Sequence, residues 1–153
     1  ADPLGGAILD FSGDGLLVVF GLPEPAEGDA IHALEFAERL FHAVAKDSVS
    51  LRIGGHAGKV QLGILGGKRH RVVSISGDVV NMASRLQEFA KSQGVELAMS
   101  DALIASESRA LAWAEMAHLT PLADQSLRGR SSTEKIWIGE VPKRSTVTSN
   151  AIK

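Results

Sequence analysis

Two short apolar runs, Ala7-Ile8-Leu9 and Leu16-Leu17-Val18-Val19-Phe20, stand on either side of Ser12-Gly13-Asp14-Gly15, and that pattern leaves little room for anything but a β-hairpin. Glycine accepts the positive φ of a tight turn, and aspartate hydrogen-bonds its own backbone there. Both runs are apolar on successive residues instead of alternating. The pattern therefore predicts strands covered on both faces, as in the middle of an α/β sheet. After a proline-containing loop from Gly21 to Gly28, Asp29 is placed to cap a helix running to about Lys46. Its apolar stripe is Ala30, Ala33, Leu34, Ala37, Leu40, Phe41 and Val44, at helical spacing.

A second strand pair is predicted at Leu51 to His56 and Val60 to Leu65. Gly54, Gly55, Gly58, Gly63, Gly66 and Gly67 fall in and after it, a density that implies bulges or close backbone approach. A basic tip, Lys68-Arg69-His70-Arg71, leads into a strand from Val72 to Ile75. Gly77-Asp78 then opens a helix over about Val79 to Ser92, ended by Gly94. Val79, Met82, Ala83, Leu86 and Ala90 form its apolar face, which leaves Asn81 and Arg85 together on the opposite side, one turn apart. A strand from Val95 to Met99, a short helix capped by Ser100, and strands near Gln125 to Gly129 and Lys135 to Val141 complete the order of strands and helices. That order predicts one α+β domain over residues 1–141, a layered sheet with helices on one side. Residues 142–153 read as a polar, disordered tail.

Composition removes several classes of function. Sixteen Lys and Arg against eighteen Asp and Glu leave a net charge of −2, so there is no general attraction to nucleic acid or to an anionic membrane, and any phosphate binding is local. The absence of cysteine excludes disulfides, thiolate metal sites and a cysteine nucleophile, and fits a reducing cytoplasm. No apolar run approaches the ~18 residues a membrane span needs, so a membrane link would come only from regions outside this chain. His32, His42, His56, His70 and His118 show no metal-ligand spacing with a third partner. Trp113 and Trp137 read as packing residues.

Three segments together resemble the class III adenylate and guanylate cyclase catalytic domain. They are Ile8 to Gly21 around Gly13-Asp14-Gly15, Ile53-Gly54-Gly55-His56-Ala57-Gly58, and Ile75-Ser76-Gly77-Asp78-Val79-Val80-Asn81-Met82-Ala83-Ser84-Arg85-Leu86. The third is the most specific. The resemblance spans roughly Gly5 to Val141 and implies the ferredoxin-like sheet of that family. It also implies conversion of ATP or GTP to the 3′,5′-cyclic nucleotide and pyrophosphate, by a homodimer whose sites lie between subunits. A cyclase-homology module that only dimerises or senses nucleotide is the alternative function.

The residue roles follow from that resemblance alone. Asp14 matches one of the two metal-binding aspartates that hold two Mg²⁺ or Mn²⁺ ions in the complete domain; read without the family, Gly13-Asp14-Gly15 is simply a turn. Asn81 matches the amide that holds the ribose, and Arg85 the guanidinium that stabilises charge on the α-phosphate; periodicity alone would make them a solvated helix face. Arg130, in Leu127-Arg128-Gly129-Arg130, falls where the family places a basic contact to the terminal phosphates. Asp10 stands where adenylate cyclases usually carry lysine and guanylate cyclases an acid, with Ser74 as its partner position. A carboxylate accepts two donors from guanine, whereas serine discriminates little, so the choice of purine stays open. The family's first strand, with the other aspartate, and the two helices after it are expected upstream of Gly5. The 153 residues alone are accordingly expected to have little or no cyclase activity.

Overall fold

The hairpin forms as the sequence requires. In a computed structural model that describes residues 3–65 and 72–142, strand β1 (Ala7–Ser12) turns at Gly13-Asp14 into β2 (Gly15–Val19), with Ser12 opposite Gly15 and Gly13 at φ +63°. One residue is extra on β1 between Ile8 and Asp10, a β-bulge of the kind that re-aims a strand. The expected double cover is not found among the described residues: Ile8 is 55% exposed and Leu16 40%. The pair is a two-stranded sheet of its own, lying against a strand of a second hairpin. Beyond β2, Phe20 meets Phe36 of the first helix at a tilted ring distance of 5.8 Å, which ties the hairpin to the domain.

Helix α1 (Asp29–Val44) starts one residue earlier than a cap at Asp29 would allow. Gly28, in the left-handed region, is the N-cap. Asp29 instead accepts from the backbone N–H of Ala26 at 2.6 Å. The free N–H groups of Gly28 and Ala30 are met from across the fold by Glu107 Oε1, at 3.0 and 3.2 Å. A side chain 79 positions from Gly28 thus performs the capping a local residue usually supplies.

Strand β3 (Ile53–Gly55) does not pair with β4 (Gln61–Leu65), contrary to the strand pair expected there. β3 joins a four-stranded sheet parallel to β6 (Leu97–Ser100), and β4 pairs antiparallel with β5 (Val72–Ser76), the strand that β1 touches. The basic tip at 68–71 lies outside the described residues, as do residues 143–153 of the tail. The sheet order is β3-β6-β8-β7, with β7 (Thr120–Ser126) and β8 (Thr133–Gly139) antiparallel. β7 begins earlier than its sequence suggests because Thr120-Pro121 reads as a turn; at the edge of the sheet proline is tolerated.

All four residues of β6 are buried, and their alternation builds two cores. Leu97 and Met99 pack with α1, α3 (Asp101–Ile104) and α4 (Ser108–Met116) around Leu34, Ile104 and Trp113. Ala98 faces the other way, onto Met82, Leu86 and Ala90 of α2 (Asp78–Gln93), together with Leu127 and Ile136. The α+β layered fold holds, but helices cover both faces of the four-stranded sheet instead of one. A four-residue strand buried throughout requires cover on each side.

Candidate active site

What sets the height of α2 above the sheet is the absence of a side chain. A Cβ placed on Gly54 would lie 2.2 Å from the carbonyl oxygen of Ala83 and 2.3 Å from the backbone nitrogen of Gln87, so the helix backbone rests directly on β3. On the opposite face a Cβ on Gly55 would meet Met99 Sδ at 2.3 Å and Leu103 at 2.9 Å. The two glycines let two layers close on one strand. Gly77 at φ +142° precedes α2. Gly94, left-handed at φ +68°, ends it, with its N–H donating to Lys91 O and that of Val95 to Ala90 O.

With Met82, Leu86 and Ala90 turned to the sheet, the opposite flank of α2 carries Asn81, Ser84, Arg85 and Glu88. Together with Arg128 and Gly129 from the turn between β7 and β8 they line a cleft of about 440 Å³. Asn81 and Arg128 are exposed and Arg85 is half-buried. Gly129, at φ +75°, lets the turn pass close to the guanidinium: a Cβ there would sit 3.5 Å from Arg85 Nη2. Among the described residues no carboxylate holds Arg85 or Arg128 in an ion pair. Two uncommitted guanidinia against the single carboxylate of Glu88 make the wall net positive, and their planar donor forks suit phosphate oxygens. The amide of Asn81 adds a donor and an acceptor one turn along.

Residues 9–140 match the family described as the adenylate and guanylate cyclase catalytic domain. The chain belongs to that family. Its sequence is 30% identical over 142 residues to Adenylate cyclase 1 of Rhizobium meliloti (strain 1021), an alignment that takes in 86% of this chain and 20% of that protein. The chain thus spans about a fifth of the length of that relative. Among solved structures, the guanylate cyclase domain of RhGC from Catenaria anguillulae, in complex with GTP, superposes with a TM-score of 0.66 at 24% identity, covering 88% of this chain and 72% of that one. The guanylyl cyclase Cya2 gives 0.61 at 25% identity, covering 94% and 74%. The fold is therefore that of class III cyclase domains.

Within this cyclase domain the expected site residues are distributed unevenly. Asn81 and Arg85 line one cleft. Arg130 does not line it: its Nη1 donates to Asp78 Oδ2 at 2.5 Å, its Nη2 lies 3.6 Å from Glu134 Oε1, and the side chain is only 22% exposed. Sequence reasoning misses Arg128, although it stands in the same four-residue stretch. The signal that could have found it is Gly129, since the positive φ there decides which neighbour the turn presents. Asp14 is exposed at the hairpin tip and is not among the cleft residues. The strands carrying Asp10 and Ser74, β1 and β5, lie against each other, but the side chains of both residues are outside what is described.

No three of His, Cys, Asp or Glu gather in a metal-holding group among the described residues. Mg²⁺ and Mn²⁺ want several oxygen ligands, so Asp14 by itself does not complete a site for either. No helix among the described residues is long and apolar enough to cross a membrane.

His56, singled out within the glycine-rich segment, is half-buried with Nδ1 2.8 Å from Ser100 Oγ, and that hydroxyl also accepts from the N–H of Leu103. Burial holds its pKa below 6.5; Glu134 and Asp78 act to raise it and Arg130 to lower it. At pH 6.5 and above the neutral imidazole is thus the favoured form.

Proposed function

We propose that the protein carrying this domain is a nucleotide cyclase that closes ATP or GTP into the 3′,5′-cyclic monophosphate. In this reaction the ribose 3′-oxygen gives its proton to solvent water and forms a bond to the α-phosphorus. The bond from that phosphorus to the α,β-bridging oxygen breaks, and pyrophosphate leaves with the electron pair. The single observation that carries the reading is the cleft in which Asn81, Arg85 and Arg128 converge, on a chain that belongs to the cyclase family.

Each group has a task suited to its chemistry. Asn81 holds the ribose by its amide. Arg85 meets the charge that accumulates on the α-phosphate, a donor preorganised for the transition state. Arg128, on the far wall, neutralises the terminal phosphates and the departing pyrophosphate. The family is generally metal-dependent, and Asp14 is the residue of this chain proposed to contribute to an ion, in a site that needs further carboxylates. Because Asp14 is not among the residues lining the cleft, the arrangement we favour is a homodimer in which the hairpin tip of one copy faces the cleft of the other. Asp10 and Ser74 remain the proposed contacts to the purine.

The test is to assay the full-length protein with ATP and with GTP in Mn²⁺ and to measure the cyclic product. Arg85→Ala is expected to lower turnover by about 10²–10³, the loss typical of one transition-state donor. A variant as fast as wild type would remove Arg85 from the mechanism. Wild-type protein that binds triphosphate yet releases neither cyclic product nor pyrophosphate would favour a nucleotide-sensing module instead.

A further inference from the structure

The turn between β7 and β8 is held at both ends. Leu127 is 3% exposed in the core beneath α2, and the N–H of Arg130 donates to Leu127 O at 3.1 Å. Arg130 is then held by three different parts of the fold. Its guanidinium meets Asp78 in the first turn of α2 and Glu134 on β8, and Nη1 also lies 4.0 Å from Met82 Sδ. Nε reaches Ser132 Oγ at 3.5 Å. Between these anchors stand only Arg128 and Gly129, the two residues that the turn contributes to the cleft.

The charges argue against a phosphate ligand at this position. One guanidinium against two carboxylates leaves the surroundings of Arg130 net negative, which repels a triphosphate, whereas Arg85 and Arg128 have no carboxylate in ion-pair contact among the described residues. We propose that Arg130 and Asp78 form a clasp: Arg130 is a positioning residue that pins the turn to α2 and so sets how far apart Arg128 and Arg85 stand. This rests on the cyclase reading, and it assigns Arg130 a role other than the substrate contact expected from its place in the sequence. Asp78 is 65% exposed, so the ion pair adds little stability and its value lies in geometry. A displacement of about 1 Å in a group that meets the reacting atoms can cost about 10²-fold in rate.

The test is a double-mutant cycle in the full-length protein with Arg130→Ala, Asp78→Ala and both together. Turnover should fall about 10-fold or more in each single variant, and the double should be no worse than either, because both remove the same clasp. Arg130→Lys should recover part of the loss, since an ammonium reaches one carboxylate but not both. Thermal midpoints should shift by no more than about 4 °C, as for an exposed pair. If Arg130 were instead a direct phosphate ligand, Asp78→Ala would free it and tighten binding of a 3′-deoxy triphosphate; that result, or fully additive losses, would overturn the clasp.

Amide exchange gives a readout independent of catalysis. The backbone N–H of residue 130 should exchange about 10-fold faster in both single variants and at the wild-type rate in Arg85→Ala. A wild-type protein without cyclase activity would sink the cyclase reading only. Unaltered exchange at Arg130 in Asp78→Ala would sink the clasp whatever the activity.

Discussion

The two faces of the four-stranded sheet are built on different terms. On one, α1, α3 and α4 bury a continuous cluster that includes Leu34, Ile104 and Trp113, and Trp113 Nε1 donates to Glu38 at 3.1 Å. On the other, α2 covers a smaller cluster around Met82, Leu86 and Leu127, and its outer flank carries Asn81 and Arg85. The first face spends its side chains on packing and presents none of the residues proposed for catalysis. The second keeps its apolar contacts to a narrow stripe and brings backbone to backbone through Gly54. A helix held in this way has its height fixed by strand and helix backbones, which cannot change rotamer, and that suits it to carry the residues proposed for catalysis. The comparison predicts that substitutions on the two faces act differently on stability and on chemistry.

Removing the packing face should have the largest effect. Trp113→Ala deletes a residue only 5% exposed together with its hydrogen bond to Glu38, and is expected to cost about 3–5 kcal/mol in denaturant unfolding. The fraction that stays folded should bind nucleotide as before. Loss of triphosphate affinity in that folded fraction would mean the two faces are not independent.

Gly54→Ala attacks the other face. The added methyl meets helix backbone that cannot rotate away, so a loss of about 1–3 kcal/mol is expected. Here, unlike at Trp113, the surviving folded protein should also lose turnover by about 10-fold or more, because Asn81 and Arg85 move with α2. Stability loss with full turnover would show that the height of α2 is not what positions the site.

The smallest effect is a pH dependence. The folded-state pKa of His56 lies below its unfolded value of 6.5, so below that pH the unfolded chain takes up the proton more readily. Its contribution is complete above about pH 6.5 and is lost as pH falls from there through the folded pKa. Asp101 is also lowered, from 3.8, by its hydrogen bond from Trp137 and then that from Lys135; its contribution disappears only below that value. Unfolding midpoints at pH 7 and pH 5 should differ in wild type and much less in His56→Gln. An unchanged difference in that variant would place the titrating group elsewhere.

Much of this was legible in the residues themselves. The hairpin turn at Gly13-Asp14, α2 and its stop at Gly94, and the cap of α3 by Ser100 all follow from interactions spanning a few positions. So does the placement of Asn81 and Arg85 one turn apart. The local pattern points to Asp29 as the cap, whereas Gly28 is the N-cap and the N–H groups of Gly28 and Ala30 are met by Glu107, which no local rule connects to α1. The sequence points β3 to its neighbour in the chain because a three-residue strand carries no mark of a parallel partner more than forty positions away.

The sequence alone therefore determined the periodic elements, the punctuation by glycine, and the string that marks the family, since each depends on covalent neighbours or on 3.6-residue spacing. Only the tertiary structure decided which arginine of Leu127-Arg128-Gly129-Arg130 reaches the cleft and which is tied to carboxylates. The two arginines are chemically identical. What separates them is the left-handed turn at Gly129 between them and the position of Asp78 on a helix 52 residues away, and neither is a local property of the arginines.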